Sequence, residues 1–392
     1  MPPSKDVISV ERRKEFVRAV EADTESFAAL CRRFQFSRQT GYRFWRGYRL
    51  QGEKGLLIGS RAAHHPGRAW PAIWRERLRQ ARLAHPRWGP KKLRTLFPGR
   101  RRPAVATLGR WLQQMHLSKL RRHRRLGPRL PWPNLTEPTQ TNEVWTVDFK
   151  GSFCTRDGTR LHPLTVRDLF SRFVLCVRIY LQQRQAPLRR LFKRLFKRFG
   201  RPRVIRTDHG VPWASSGPLE LSRLSVWWWR LGIRVEFTAK GRPQQNAAHE
   251  QHHRILKADT LRPPAINPWA QQRRFDRWRH YYNRQRPHEA LNQQVPAIHY
   301  RPAPTTLMNL SSPNYIGALA TRRVHPNGEI VWEGRRRFIG DAFAGELLGL
   351  FVLSQGMWAV RFLHLEIGHL HRADSGGMRP ANHTFIKKVS HM

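Results

Sequence analysis

Gly241 to Lys257 reads GRPQQNAAHEQHHRILK, and this stretch decides how the rest of the chain is read. A loop with glycine, proline and two glutamines gives way near Asn246 to a helix-like segment with Glu250 in its first turns. Two earlier acids each interrupt or end a strand-like run: Asp148 in VWTVDFKGSF and Asp208 in RVIRTDHG. Working outward from these three carboxylates gives a layered domain. VWTVDFKGSF, RLHPLTVRDLF and RFVLCVRIYL are β-rich, the first two joined through the turn residues RDGT. QAPLRRLFKRLFKRFGRP places Leu188, Leu191, Phe192, Leu195, Phe196 and Phe199 on one helical face, with Arg and Lys on the other. That periodicity predicts a helix packed on a sheet with a solvated basic face. RVIRT, the helix LELSRLSVWWWRLG, the strand IRVEFT and the Glu250 helix follow. Trp227, Trp228 and Trp229 cannot all be buried on one side of a single helix. Three strands, helix, strand, helix, strand, helix is an α/β layered domain with a mixed sheet, spanning 140–262.

Composition bounds what such a domain acts on. There are 73 Lys plus Arg against 26 Asp plus Glu in 392 residues, a formal charge of +47. Self-repulsion on that scale calls for a polyanionic partner, and an arginine-dominated surface suits bidentate phosphate contacts. No uninterrupted apolar run is long enough to span a bilayer, so a membrane is not the expected partner. The opening MPPSKDVISVERRKEF lacks the apolar core of a secretory signal. Cys31, Cys154 and Cys176 are too few and too scattered for a disulfide framework. A reducing cytosolic location is expected.

Upstream, residues 9–60 read as three helices with a short QFS break before the third, RQTGYRFWRGYRLQG, which Ser37 can cap. Helix, tight turn, basic aromatic helix is the pattern of a helix-turn-helix DNA reader, with Arg38, Arg43 and Arg46 as candidate contacts. A second unit of the same plan covers 70–118, with Lys91, Lys92 and Arg110 as candidates. Residues 61–130 hold 20 Lys or Arg and one acid, Glu76, too lopsided for an ordinary solvated face. Residues 119–139 read as an extended basic linker and 263–305 as a helical arm. Residues 310–372, with an Asn327-Gly328 hairpin signal, read as a small β-barrel of the SH3-like kind, and the chain from about 373 as disordered.

Phosphodiester transfer needs an activated oxygen nucleophile and stabilisation of the leaving oxygen, which two divalent ions supply. Hard ions take oxygen ligands, so Asp148, Asp208 and Glu250 are candidate metal ligands and catalytic residues. A lone Asp at a strand end is usually a turn or cap residue. Three at compatible positions in so basic a chain are harder to explain that way. Asp168 is assigned a structural role, as a turn residue paired with a nearby arginine. His249, His252 and His253 invite a zinc reading, but helix-surface or DNA-contact roles are the expectation, since no partner ligand cluster is evident.

WTVDFKG (Trp145 to Gly151), RTDHG (Arg206 to Gly210) and Gly241 to Lys257 closely resemble the catalytic core of retroviral-type integrases and bacterial insertion-sequence transposases. HPRWGPKKL, YYNRQRPHEALNQQVP and NGEIVWEGRRRFIGDAFAGELLGL extend the likeness to most of residues 10 to 370. The resemblance implies an RNase H-like core and a DDE triad of Asp148, Asp208 and Glu250 holding two Mg²⁺ or Mn²⁺ ions. It also implies double-stranded DNA (element ends and target) as substrate and a homodimer or higher oligomer. Pro243, Gln244 and Asn246 match the loop before the acidic helix, and Lys257 a DNA-contacting position. The sequence departs from that pattern at His209, Ala247, Ala248 and Gln251, and 41 residues separate Asp208 from Glu250, a spacing that GPLELSRLS would lengthen as an insertion. Two other readings stay open: a catalytically inactive DNA-binding derivative, and an RNase H-like nuclease without joining activity.

Overall fold

The computed structural model describes residues 9–57, 70–99, 102–118, 135–239, 247–304 and 313–381; most of the basic linker, with Pro243, Gln244 and Asn246, lies outside them. The chain divides into two compact units, Met1–Trp74 and Arg75–Met392.

In the first unit, α1 (Val10–Glu21), α2 (Phe27–Arg33) and α3 (Arg38–Gln51) each start at a serine, Ser9, Ser26 and Ser37. Each hydroxyl accepts an otherwise orphaned N–H of the first turn. Phe16, Val17, Leu30, Cys31, Phe36, Phe44 and Leu56 form the core. Gly41 of α3 sets the crossing of α2: a Cβ there would lie 2.7 Å from Cys31 Sγ and 3.0 Å from the Phe16 ring. Gly41→Val is therefore expected to destabilise this unit by about 1–3 kcal/mol, the usual effect of overpacking, read as a lower unfolding temperature of the full chain's first transition.

The second unit opens within α4 (Ala72–Ala84), followed by α5 (Pro90–Leu93) and α6 (Val105–Gln114), closed around buried Leu78, Trp88, Leu93, Leu108, Trp111 and Leu112. Next comes the mixed sheet: β1 (Val144–Phe149), β2 (Phe153–Cys154), β3 (Arg160–Asp168), β4 (Val174–Tyr180), β5 (Val204–Thr207) and β6 (Arg234–Phe237). β1 lies between β3, antiparallel, and β5, parallel; β4 and β2 pair with β3, and β6 runs parallel to β5. One face is covered by α7 (Gln185–Phe199) and α8 (Arg223–Arg230), and all six apolar positions expected of α7 are buried there. The other face is covered by α9 (Ala247–Thr260) and α10 (Pro268–Arg284), through Leu256, Phe275, Trp278 and Tyr282 against Val174 and Val177 of β4.

The tryptophan run of α8 divides as its geometry requires. Trp227 and Trp228 enter the sheet core, while half-buried Trp229 packs toward the C-terminal strands. Leu219 and Leu221, from the GPLELSRLS segment, are part of that second core.

The C-terminal region is not the closed barrel expected. β7 (Ala320–Arg323), β10 (Leu347–Ser354), β11 (Met357–Phe362), β12 (Leu365–His371) and β13 (Arg379–Pro380) make one open antiparallel sheet in the order β13-β12-β11-β10-β7. β8 (Glu329–Trp332) and β9 (Arg335–Phe338) form a separate two-stranded ribbon, so among the described residues no hydrogen-bonded ladder closes the sheet on itself. The Asn327-Gly328 turn only leads β7 into β8. The hairpin itself turns at Glu333-Gly334, where both residues have positive φ (46° and 71°). Part of the tail expected to be disordered is also ordered, since Arg379 and Pro380 pair with His369 and Gly368. Residues 382–392 lie outside the described residues.

Candidate active site

Alternation along β1 fixes where Asp148 points. Trp145 and Val147 fill the α7/α8 side, so Asp148 faces the α9 side with its side chain 17% exposed. Its cross-strand partner in the ladder is Thr165 of β3. Asp208 directly follows β5, and its Oδ1 accepts the Gly210 N–H at 3.1 Å in a tight turn. A Cβ on Gly210 would sit 3.2 Å from both carboxylate oxygens, so the glycine lets the turn close around the acid.

On α9 the side chains separate by helical angle. His249, His252, His253, Leu256 and Thr260 are buried, while Glu250, Arg254 and Lys257 share one exposed stripe at i, i+4 and i+7. The carboxylates are electrically coupled. Burial first, then the charge on Asp208, and to a smaller degree that on Glu250, push the Asp148 carboxyl up to about 7. A group held this way by desolvation and like charge is relieved by a bound cation, and the oxygen-only donor set suits a hard divalent ion. The residues present fit the group that the sequence implies.

The histidines correct the sequence expectation. All three are buried within α9's inner face rather than lying on a helix surface or against DNA. Burial and neighbouring cationic groups lower His249 and His252 well below the usual imidazole range and His253 to about 3, so all three are neutral. Among the described residues, Asp148, His249 and His253 offer donor atoms within 4.8 Å of one another. The space between the two imidazoles is filled by Thr165, whose Oγ1 is 2.6 Å from His249 Nε2 and 2.7 Å from His253 Nε2.

Asp168 is structural as expected, and the Arg167 charge acts on its carboxylate. Its carboxylate accepts the backbone N–H groups of Asn142 and Ser171, each at 2.8 Å, and the Ser171 hydroxyl at 2.5 Å. His209 is drawn inward. Its Nδ1 is 2.7 Å from Glu220 Oε2 and its ring stacks on Phe237 at 5.0 Å. Glu220 and Leu219 are consecutive non-glycine residues in the left-handed region, with φ of 54° and 55°. The GPLELSRLS segment therefore spans from the C-terminal core to the residue beside Asp208.

Of the candidate DNA contacts, Arg38, Arg43 and Arg46 are exposed on α3, Arg110 on α6 and Lys257 on α9. Lys91 and Lys92 meet their own chain instead: Lys91 pairs with Glu289, and Lys92 donates to the Pro287 carbonyl at 2.7 Å. Burial brings the Lys92 amine down to about 8. Arg87–Asp259 at 2.5 Å and Tyr281 against His85 and Trp88 complete that contact between the second helical trio and α9/α10. Sequence reasoning missed Thr165, Glu220 and Gly210; only Gly210, two residues after an Asp, carried a local signal.

Residues 138–243 match the integrase core domain, residues 231–296 a second integrase core domain family, and residues 12–63 a helix-turn-helix domain. The chain is 29% identical over 189 residues (48% of this chain, 66% of the relative) to the insertion element IS407 uncharacterized 31.7 kDa protein of Burkholderia multivorans. It is 26% identical over 227 residues (56% and 62%) to the insertion element IS476 uncharacterized 39.2 kDa protein of Xanthomonas euvesicatoria. The chain thus spans just under two thirds of the length of each relative. Among solved structures it is similar to the HTLV-2 integrase catalytic core domain in complex with magnesium (13% identity, 42% of this chain and 100% of that one, TM-score 0.31). It is also similar to the simian T-cell lymphotropic virus intasome in complex with PP2A regulatory subunit B56 gamma (16%, 78% and 99%, TM-score 0.36). With an integrase core, a helix-turn-helix domain ahead of it and relatives encoded by insertion elements, the chain is similar to insertion-element proteins that carry an integrase-like core.

Proposed function

We propose that this protein binds the ends of an insertion sequence and catalyses divalent-metal-dependent cleavage and strand transfer of double-stranded DNA. The observation that carries the reading is Asp148, a carboxyl set into a sheet face and pushed up to about 7 by burial and by Asp208. Asp148, Asp208 and Glu250 would hold Mg²⁺ or Mn²⁺, two ions being expected. Bound there, such ions supply Lewis acidity for the phosphodiester and raise the acidity of the attacking hydroxyl.

The chain's own residues have separate tasks. Asp148 sits within a paired strand and Asp208 directly follows one, whereas Glu250 approaches from a helix, so the helix sets how tightly the group closes. Lys257 and Arg254, on the same exposed stripe as Glu250, would hold DNA phosphates beside the carboxylates. Arg38, Arg43, Arg46 and Arg110 would hold DNA on the helical trios. Gln244 and Asn246 enter the proposal through the sequence resemblance. Lys91 and Lys92 would first have to leave Glu289 and Pro287. Pairing of two element ends calls for a homodimer or larger assembly acting in the bacterial cytoplasm or nucleoid. No described helix is long and apolar enough to cross a membrane.

The test is strand transfer on a labelled element end with Mg²⁺ or Mn²⁺. Joined products that vanish in Asp208→Asn and Glu250→Gln are expected, while wild-type yields from either variant would sink the triad. Nicks without joined strands would indicate a nuclease. End binding with a salt slope of about −0.9 per neutralised phosphate and no metal-dependent nicking would indicate an inactive DNA-binding derivative.

A further inference from the structure

Thr165, His249 and His253 have no place in the metal-ligand triad, yet they are fully buried directly behind one of its members. Resting on the catalytic reading of Asp148, we infer that these three side chains form a hydrogen-bonded relay that orients the Asp148 carboxylate, making Thr165, His249 and His253 positioning residues.

The proton assignments follow from the contacts. Thr165 Oγ1 is 2.6 Å from His249 Nε2, 2.7 Å from His253 Nε2 and 3.3 Å from the Asp148 carbonyl oxygen. A hydroxyl has one proton to give, and the shorter, near-optimal contact takes it from the 3.3 Å one. Two neutral imidazoles cannot both receive it, so the hydroxyl donates to one ring and accepts from the other. His253 Nδ1 lies 3.6 Å from Asp148 Oδ2. A lone pair there would face the carboxylate, whereas an N–H there would point positive charge density at it. The Nδ1–H tautomer of His253 is therefore the favoured one, with its Nε2 accepting from Thr165. The Thr165 oxygen then accepts from the Nε2–H of His249, whose Nδ1 keeps a lone pair. His249 Nδ1 is indeed buried without a hydrogen-bond partner. An unmatched acceptor is a milder defect than an unmatched donor.

The chain thus runs from His249 N–H to the Thr165 hydroxyl to His253, and from the His253 N–H toward Asp148. At 3.6 Å that final contact is electrostatic rather than a hydrogen bond; it favours one orientation of the carboxylate and leaves its oxygen lone pairs available to a cation. Packing alone would not need this set, because valine and leucine would fill the same space without burying four polar nitrogens. The arrangement also accounts for the helix departing from an all-apolar inner face at His249 and His253. It leaves the pair unsuited to hold an ion of their own, because the hydroxyl occupies the point on which both Nε2 atoms converge.

The experiment uses the full-length protein and Mn²⁺, with free ion counted by electron paramagnetic resonance so that binding is read without catalysis. Thr165→Ser keeps the hydroxyl and is expected to bind Mn²⁺ as the wild type does. Thr165→Val removes only the hydroxyl and is expected to weaken binding by about 10- to 100-fold, the usual effect of losing a partner of a metal ligand. A second pair guards against a folding failure in the valine variant: His249→Gln retains an N–H donor and should bind better than His249→Leu, with melting curves recorded for all four. Equal Mn²⁺ affinity in Thr165→Val and wild type, equal loss in both members of either pair, or no Mn²⁺ binding by the wild type would overturn the relay. Asp148-dependent Mn²⁺ binding with the expected pattern, but no DNA cut or joined, would uphold the relay and defeat the transposition reading instead.

Discussion

Asp148→Asn is expected to abolish strand transfer and, in the same molecule, to raise the thermal stability of the metal-free protein at pH 8. The first effect follows from the proposed role of Asp148 as a charged oxygen ligand. Metal stabilisation of a phosphoryl transition state is worth several kcal/mol, and each 1.4 kcal/mol is tenfold in rate, so a loss of roughly 1000-fold or more is expected. The second effect follows from the electrostatics around the carboxyl. Burial and the charge on Asp208 raise Asp148 from 3.8 to about 7. The metal-free fold therefore holds this proton more tightly than the unfolded chain does. Below about pH 4 the carboxyl is protonated in both states and costs nothing; between about 4 and 7 the penalty grows, and above 7 it is fully present. Its ceiling is about 4 kcal/mol, and relaxation around a side chain still 17% exposed reduces it. Asparagine keeps the shape and removes the charge. Metal-free wild type should lose melting temperature from pH 5 to pH 8 while Asp148→Asn changes less. Adding Mg²⁺ should restore wild type alone. A variant no more stable than wild type at pH 8 would mean that the three carboxylates do not crowd one another as the coupling implies.

How much of this was legible in the sequence depends on whether the determining contact was local. α7 was readable because six apolar positions on a 3.6-residue period have one solution, and all six are buried. The succession of strands along the chain was readable because turn residues punctuate the strands, though their order within the sheet was not. The tryptophan run correctly demanded two destinations, but not that the second was the C-terminal sheet, since Leu219, Leu221 and Val226 meet it across more than 100 residues of chain. The α9 histidines failed for a related reason. A pattern that scores imidazole as polar places it outside, yet a neutral histidine is readily buried once a partner exists, and that partner, Thr165, is 84 residues away from His249. Nothing in VWTVDF or RLHPLTVRD announces that Asp148 and Thr165 will sit opposite each other. The barrel expectation failed because strand number and hairpin signals do not specify closure, and Glu333-Gly334 carries the turn at a position where a glutamate is not the expected residue. Asp168 was placed correctly in role because an acid beside a turn is usually structural; backbone N–H groups and a serine hydrogen-bond it, and the Arg167 charge acts on it.

Glu236→Gln is expected to cost more stability than any surface substitution, because it strands a buried cation next to the candidate active site. Arg206 and Glu236 are cross-strand partners of β5 and β6, each side chain only 9% exposed, joined by guanidinium contacts of 2.9 and 3.1 Å. The same carboxylate accepts from Arg234 at 2.9 Å and from the Thr136 hydroxyl at 2.5 Å, while Arg206 also donates to the Thr136 carbonyl at 2.6 Å. One anion therefore holds two guanidinium groups and the segment leading into β1. Glutamine can satisfy some of those donors but returns no charge. Removing one partner of a buried pair typically costs about 3–5 kcal/mol, and the polar contacts that glutamine keeps place this variant near 3 kcal/mol. The structural consequence should reach catalysis, because Arg206 is two residues from Asp208 and the β5 backbone is what places that carboxylate. Glu236→Gln should lower the unfolding temperature and, below it, weaken Mn²⁺ binding along with strand transfer. Replacing both partners by apolar residues, Arg206→Met with Glu236→Leu, removes the uncompensated charge and should recover part of the stability, as replacing a whole buried pair generally does. If the double variant were instead less stable than Glu236→Gln, the network's hydrogen bonds to Thr136 and Arg234 would be the dominant contribution, and the pair's charge a minor one.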